Sequence, residues 1–252
     1  MLAVVLIVAI VAAARSTWSP CGWSVLSTMT PLAEKRRGRR YATTALWYAV
    51  GAVLGGLTLG GVAAGLAAIV DATDASAGVL AGIGAAALLL VAGSDSSAIR
   101  GSLPGHKRQV NEDWLDLYRS WVYGMGYGWQ IGAGLVTYIR TAAVYALVVL
   151  AALTASPLAA LLACGVFGLV RGLAIYLTAR CTTPELLMRF HRRFAAADAS
   201  ARELTALACA GAGVALLASV SAWAAIAVGI IVAGVGATAL ARRSSGVAAL
   251  QS

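Results

Sequence analysis

The chain of 252 residues is 60% hydrophobic and only 12% charged, with a formal net charge of +9 and a mean hydropathy of +0.84. This composition excludes an ordinary soluble domain and is typical of an integral membrane protein. Several uncharged runs approach the roughly 20 residues that cross about 30 Å of hydrocarbon, and no ten-residue units of alternating polarity are present. The sequence therefore predicts an all-α, polytopic membrane helix bundle of seven or eight spans.

The basic residues cluster in short loops beside the apolar runs, which favours contact with anionic lipid over nucleic acid. We therefore expect the lipid bilayer as a partner and no nucleic acid. The four cysteines are scattered, and no cysteine or histidine pair has the spacing of metal ligands. We expect neither a disulfide framework nor a metal or other cofactor.

The first apolar stretch contains the break Ser19-Pro20-Cys21-Gly22. Pro20 lacks an N–H group and clashes with a continuing helix, and Gly22 widens the break. A signal peptide over 1–14 is disfavoured because the positively charged leading segment is missing. Two readings of the break stay open: a proline kink with a packed cysteine, and a functional thiol at Cys21 or a ligand gate.

The strongest charge cluster follows, with Lys35, Arg36, Arg37, Arg39 and Arg40 within six residues. A short basic loop between spans stays in the cytoplasm. The sequence thus predicts a multi-pass protein of the inner or plasma membrane with its 35–40 loop cytoplasmic.

Two further spans are predicted at 42–70 and at 78–92. The first contains three pairs of glycines at four-residue spacing, a pattern that lets helix backbones approach closely. The apolar positions from 110 to 121 lie on one helical face rich in tryptophan and tyrosine. We expect an interfacial helix there, lying on the cytoplasmic side.

A second unusual stretch, 122–139, is rich in glycine and contains Tyr127-Gly128-Trp129-Gln130. This tetrapeptide matches Cys21-Gly22-Trp23-Ser24, and each is followed by about two more spans. The match predicts two inverted three-span halves, 1–98 and 121–180, within a membrane core over 1–180. Interrupted segments at matching positions of inverted halves point to a central site.

The remaining chain divides into an amphipathic loop helix over 181–203, capped by Thr183, and a helical hairpin and tail over 204–252. Arg171 falls inside an apolar run, where an arginine normally faces a cavity or a partner, unless it reaches the membrane surface. The charge bias prefers seven spans with 122–139 re-entrant, whereas the inverted repeat requires eight.

The Ser19-Pro20-Cys21 motif, the two three-span halves and the glycine-rich start of the second half resemble the CcdA/DsbD-type membrane thiol reductants, a family related to LysE-like exporters. The resemblance covers roughly residues 1–180. It implies that Cys21 is a redox thiol and that a thioredoxin-like protein is a partner. The second cysteine of the family is missing, because Tyr127 or a neighbour occupies its place.

Three functions follow as hypotheses. The first is transfer of reducing equivalents across the membrane through Cys21, whose thiolate Arg15 would stabilise. The second is a transporter or exporter of a small solute with a midplane site between the broken segments. The third is a subunit or assembly factor without chemistry of its own. The residues expected along a substrate path are Arg15, Ser24, Thr28, Tyr127, Gln130 and Arg171, and the structural breaks are placed at Pro20, Gly22 and Gly128.

Overall fold

The computed structural model describes residues 1–96, 113–136, 138–230 and 232–233, and these are helical with no strand among them. The first half contains α1 Leu2–Ser16, α2 Pro20–Thr28, α3 Pro31–Arg36, α4 Tyr41–Asp71 and α5 Ala77–Asp95. The second half contains α6 Trp114–Leu117, α7 Ser120–Gly132, α8 Ala143–Leu153, α9 Pro157–Leu173 with a 3-10 extension Ala174–Thr178, α10 Pro184–Ala196 and α11 Asp198–Ala218. Residues 222–230 are also helical.

Four helical segments are long and apolar enough to cross a membrane, and the bent pair α1 and α2 makes a fifth if it is a single span. The four are α4, α5, α9 with its extension, and α11. The prediction of seven or eight full spans is therefore not met in the described residues. The reason is length, since α7 has 13 residues and α8 has 11, too few to cross about 30 Å of hydrocarbon.

The predicted break lies between α1 and α2, which meet at an angle of 65°. Pro20 is the first residue of α2, where its missing N–H leaves no hydrogen bond unmade. Ser19 caps the helix, and its hydroxyl accepts a hydrogen bond from the Gly22 amide at 3.2 Å. The chain turns tightly here, because a Cβ on Gly22 would lie 2.1 Å from the Thr17 carbonyl oxygen. The break is thus an ordered turn between two capped helices.

The long helix α4 lies at the centre and packs most extensively against α7 and α9. Glycine permits this approach. A Cβ on Gly56 would lie 2.4 Å from the Cys164 carbonyl oxygen of α9, and one on Gly51 would lie 2.1 Å from the Met125 oxygen of α7. Of the predicted glycine pairs, Gly61 and Gly65 face open space instead. The close contact therefore uses one side of α4.

The helix α7 runs parallel to the first part of α4. Built Cβ atoms on Gly128 and Gly132 would each lie 2.0 Å from a carbonyl oxygen of α4, that of Tyr48 and that of Ala52. Gly128 is therefore a packing contact inside a continuous helix, and its assignment as a break is wrong. The helix ends at Gly132, and Gly134 takes a left-handed φ of +68° that glycine adopts without strain.

The helix α8 then begins at the level where α7 ends, since a Cβ on Gly134 would lie 3.0 Å from the Phe167 ring and 3.5 Å from Val144 of α8. The Thr141 hydroxyl and the Ala142 amide donate hydrogen bonds to Asp95 at the end of α5, and Arg140 pairs with Asp198 at 3.3 Å. Asp198 also pairs with Arg15, next to the break between α1 and α2. These contacts place the start of α8 beside the break between α1 and α2, which itself lies near Ile131 at the end of α7.

The helices α8 and α9 form a hairpin, and α11 packs along α5. Together with α1 they bury the larger apolar core, which is rich in alanine and includes Leu88, Leu147 and Phe167. At the other end of the break, α10 lies across α2. The Trp18 and Phe194 rings stack with centroids 4.4 Å apart, and the Trp18 indole donates a hydrogen bond to the Phe194 carbonyl at 2.8 Å.

The predicted cap of the loop helix is confirmed, since the Thr183 hydroxyl accepts a hydrogen bond from the Leu186 amide. The next helix begins earlier than predicted, at Asp198. Only a short helix, α6, lies in the described part of the predicted interfacial helix, whose beginning at Val110 lies outside the described residues. The terminal tail with Arg242 and Arg243 also lies outside them.

Candidate functional site

Cys21 lies in the interior of the bundle, at the second residue of α2. It is 0% exposed and belongs to a small buried cluster with Tyr48 of α4, Tyr127 of α7 and Ile175. The two tetrapeptides compared in the sequence therefore contribute to the same cluster. Tyr127 is also fully buried, and its ring meets Trp114 edge to face at 6.4 Å between centroids.

Arg171 is buried beside this cluster. It lies near the end of α9, only 3% exposed, with its guanidinium carbon 6.0 Å from the centre of the Phe167 ring. Its charge acts electrostatically on Tyr48 and Cys21. A cavity of about 10 Å³, roughly the space of one water molecule, separates α2, α4, α7 and α9. Its lining consists of Thr17, Gly22, Val25, Leu26, Tyr48, Ile131, Arg171, Ala174 and Ile175.

The Arg171 guanidinium is incompletely satisfied within the described part of the chain. Its Nε and Nη1 atoms are buried and have no hydrogen-bond partner there. An arginine does not lose its proton in proteins, so burial leaves a positive charge in a low-dielectric setting. Chemically, this centre offers a fixed cation with two unused donors.

The other predicted path residues do not gather at this cavity. The Arg15 guanidinium is bound to Asp198 at 2.7 Å, so its expected role in stabilising a Cys21 thiolate is not supported. The Thr28 hydroxyl donates to the Ser24 carbonyl within α2, and both residues are half-buried. Gln130 is half-buried on α7, and none of these side chains lines the cavity. Only Cys21, Tyr127 and Arg171 come together.

Sequence reasoning missed a buried carboxylate, Glu34, at the end of the bundle near α3. Its side chain is 0% exposed, and it accepts hydrogen bonds from the Thr44 hydroxyl and the Tyr123 hydroxyl, each at 2.5 Å. Arg37 donates to it at 3.2 Å. One carboxylate thus ties α3 to α4 and α7. A single acidic residue amid five basic ones was the available signal.

A second buried carboxylate, Asp95, holds the start of α8. It accepts a hydrogen bond from the Ala142 amide at 3.0 Å and another from the Thr141 hydroxyl. An acidic group near the first amides of a helix also interacts favourably with the helix dipole. Both missed carboxylates fasten helices that are distant in the sequence.

The four cysteines form no disulfide, and all are buried. Cys164 lies on α9 against Gly60 of α4, and Cys209 lies within the core on α11. Cys181 follows the last turn of the 3-10 extension, where burial raises the pKa of its thiol. No group of three or more residues able to hold a metal ion occurs among the described residues.

Comparison with known proteins gives one consistent result. The chain is 32% identical over 167 residues to the methylamine utilization protein MauF of Paracoccus versutus, a match that covers 64% of this chain and 59% of that protein. It is 34% identical over 152 residues to MauF of Methylorubrum extorquens, covering 58% of this chain and 52% of the relative. For MauF of Methylophilus methylotrophus the identity is 31% over 172 residues, with 67% and 60% covered.

The chain spans about 60% or less of the length of these curated relatives. All five curated proteins that match carry the name MauF. No family model matches the chain, and no solved structure does either.

These relatives overturn the resemblance drawn from the sequence. They are named for methylamine utilization, not as CcdA/DsbD-type thiol reductants and not as transporters. The motif that suggested a redox thiol has a structural explanation. Ser19 caps α2, Pro20 is its first residue, and Cys21 of the same helix packs into the buried cluster. Both the thiol-reductant hypothesis and the solute-transporter hypothesis are therefore corrected.

Proposed function

We propose that this chain is a membrane-embedded accessory protein of methylamine utilization, with a role like that of the MauF proteins. The observation that carries the proposal is the similarity of about 30% identity to MauF proteins from several bacteria. It retains the third hypothesis drawn from the sequence, a subunit or assembly factor.

The arrangement of the buried polar groups supports a scaffold role. The buried Glu34 and Asp95 and the partly exposed Asp198 each accept hydrogen bonds that join helices distant in the sequence. Buried carboxylates used in this way specify one packing of the helices. A rigid helical scaffold in the membrane suits a protein that assists other components.

The path of the chain supports a membrane orientation for this scaffold. The helices α7 and α8 lead away from the end where Tyr123 meets Glu34, α9 returns to that end, where Tyr41 meets Ile175, and α10 then packs against α2. Both the 35–40 loop and the basic helix α10 then face the cytoplasm, as the positive-inside rule favours. We take this arrangement, with the connection at 72–76 outside, as the topology of the protein.

The proposed function is tested by complementation. A Paracoccus denitrificans strain lacking its own MauF, which is 30% identical to this chain over 170 residues, receives either this chain or a chimera. The chimera is the Paracoccus protein with its matched segment replaced by the corresponding segment of this chain. We expect the chimera to restore growth on methylamine, with growth on succinate as the control.

The chimera is needed because the match covers only 59% of the Paracoccus protein. Membrane fractions are probed for each protein by an epitope tag. A chimera that is present in the membrane at the level of the native protein and yet gives no growth on methylamine would contradict the proposal.

The orientation is tested with engineered thiols, since all native cysteines are buried. We expect a membrane-impermeant maleimide applied to intact spheroplasts to label Thr73→Cys. The same reagent should label Gly38→Cys and Glu185→Cys only after the membrane is opened. Labelling of Glu185→Cys but not Gly38→Cys in intact spheroplasts would place α10 on the other side and refute the topology.

A further inference from the structure

We define the basic end of the molecule as α2, α3, the first turn of α4, and α10. A groove opens at this end. Its volume is about 260 Å³. Its floor is formed by apolar and hydroxyl side chains, and two arginines stand at its rim. The residues that matter here are Ser27, Thr30, Leu32, Arg36, Arg37 and Leu187.

The walls of this groove are built from distant parts of the chain. Ser27 of α2 lies within hydrogen-bond distance of His191 of α10, with Oγ and Nε2 3.3 Å apart. The Trp23 ring packs against both His191 and Phe194, at 5.3 Å and 5.1 Å between centroids. These contacts hold α10 across the end of α2, so the groove is part of the folded protein.

The two arginines at the rim differ in their engagement. Arg37 donates to the Thr28 carbonyl at 2.8 Å and to Glu34 at 3.2 Å, so its guanidinium is held in place as part of the wall. Arg36 is exposed at the mouth of the groove, directly after Lys35. A guanidinium held in place and a neighbouring exposed one can together contact an anionic group.

The surroundings strengthen the preference for an anion. Among the described residues, the exposed cations at this end of the molecule outnumber the exposed carboxylates, which are Glu185, Asp113 and Asp116. The pKa of Glu185 is lowered by its own backbone amide and by the Thr183 hydroxyl, so this carboxylate stays ionised. Glu185 does not line the groove. The exposed cations are Lys35, Arg36, Arg40, Arg189, Arg192 and Arg193.

The position of the groove points to a lipid. It is lined by α3, directly before the apolar helix α4 begins, and Trp23 packs against α10 beside it; tryptophans are enriched at the membrane surface. Leu186 and Met188 of α10 remain exposed beside it, on a helix whose other face is basic. Basic pockets at this level of a membrane protein bind anionic head groups while apolar surface accommodates the acyl chains.

We propose that the groove between α3 and α10 binds the head group of an anionic phospholipid, with Arg36 and Arg37 on the phosphate. The bound lipid fastens α10 to the bilayer at the basic end. This inference does not depend on the proposed role in methylamine utilization.

The test uses the full chain purified in a neutral detergent and titrated with mixed micelles of phosphatidylglycerol or phosphatidylcholine. Bound lipid is counted by native mass spectrometry, and the thermal unfolding midpoint is recorded in parallel. We expect phosphatidylglycerol to bind and to raise the midpoint, and phosphatidylcholine to do neither. Inorganic phosphate at millimolar concentration serves to distinguish a free anion from a lipid.

Two charge-reversed variants locate the site. Arg36→Glu changes an exposed residue at the groove mouth, and Lys35→Glu makes the same charge change next to it without lining the groove. We expect Arg36→Glu to weaken phosphatidylglycerol binding about tenfold or more, because each cation near an anionic lipid surface contributes about 1 kcal/mol and the reversal counts twice. Lys35→Glu should lose less than half as much binding energy.

Three results would overturn the proposal. Equal weakening by both variants would show a diffuse charge effect without a site. Equal binding of phosphatidylglycerol and phosphatidylcholine by the unmodified chain would remove the anionic selectivity. A midpoint raised as much by inorganic phosphate as by phosphatidylglycerol would make the ligand a free anion.

Discussion

In the middle of the bundle α4 meets α7 and α9 across glycines, whereas at the basic end α10 meets α2 through aromatic rings and hydrogen bonds. The glycine contacts bring backbones together, so they tolerate no added atom. The contacts at the basic end are made by long side chains, each of which satisfies a polar group or fills space. The glycine contacts set the distance between the helices, whereas the contacts at the basic end determine which helices pack together.

The largest effect is expected from a substitution that breaks the glycine contact between α4 and α9. We expect Gly56→Ala to destabilise the protein by about 3 kcal/mol, because its new methyl group would lie 2.4 Å from the Cys164 carbonyl oxygen. The measurement is the midpoint of thermal unfolding in detergent, followed by size-exclusion chromatography. Gly61→Ala on the same helix is the matched control, since nothing lies within 4 Å of its added atom. Equal midpoints for the two variants would refute the close packing.

The next largest effect is expected from a substitution that breaks the hydrogen bonds of Glu34 at the basic end. Glu34→Gln replaces the buried acceptor of three hydrogen bonds and leaves Arg37 with the exposed Asp116 as its remaining carboxylate. We expect a loss of about 2 kcal/mol, since hydrogen bonds to charged groups contribute about 1.5–3 kcal/mol. The exposed Glu185→Gln makes the same chemical change with little effect on unfolding. A similar midpoint for both variants would count against the buried network.

A smaller effect is expected where the end of α1 is joined to the start of α11. Asp198 binds the buried Arg15 at 2.7 Å and is itself 35% exposed, so solvent weakens the pair. We expect Asp198→Asn to cost about 1 kcal/mol in urea-dependent unfolding, because a neutral amide attracts Arg15 less. Glu203→Gln, whose pair with Arg202 is longer at 3.8 Å, should change it less. The reverse order would contradict this assignment.

The last effect is expected at Arg171, which lies between the two regions. It is similar in size to the previous one and opposite in sign. We expect Arg171→Met to raise the stability by about 1 kcal/mol, because it removes a buried charge whose Nε and Nη1 lack partners in the described chain. Arg171→Lys keeps the charge and should give no gain in the thermal unfolding midpoint. A lower midpoint for the methionine variant would mean that an anion or a group outside the described residues pairs with Arg171.

Local features followed from the sequence where the signal itself was local. The break at Pro20, the Thr183 cap and the long apolar helix α4 lie within one or two turns of the residues that specify them. Fewer helices of the described residues reach spanning length than predicted, because a hydropathy pattern does not reveal where a helix ends. Gly132 and Gly134 end α7 partway along α4, and no run of apolar residues records that end.

The site was less predictable. Cys21, Tyr127 and Arg171 were singled out and do lie together, but Arg15 was assigned to the wrong partner and Glu34 was not noticed. Local spacing carries no information on pairs such as Glu34 with Tyr123, which are 89 residues apart. The thiol was also given too much weight, since a proline before a cysteine equally begins a helix.

By itself the sequence predicted a helical protein with apolar segments of membrane-spanning length and a basic end, because hydropathy and charge act residue by residue. The tertiary structure alone decided that α7 packs beside α4, that α10 docks on Trp18, and that Arg171 lacks a complete set of partners among the described residues. These outcomes depend on which surfaces meet. Glycines set how closely helices approach, and buried charges must find partners wherever the chain brings them.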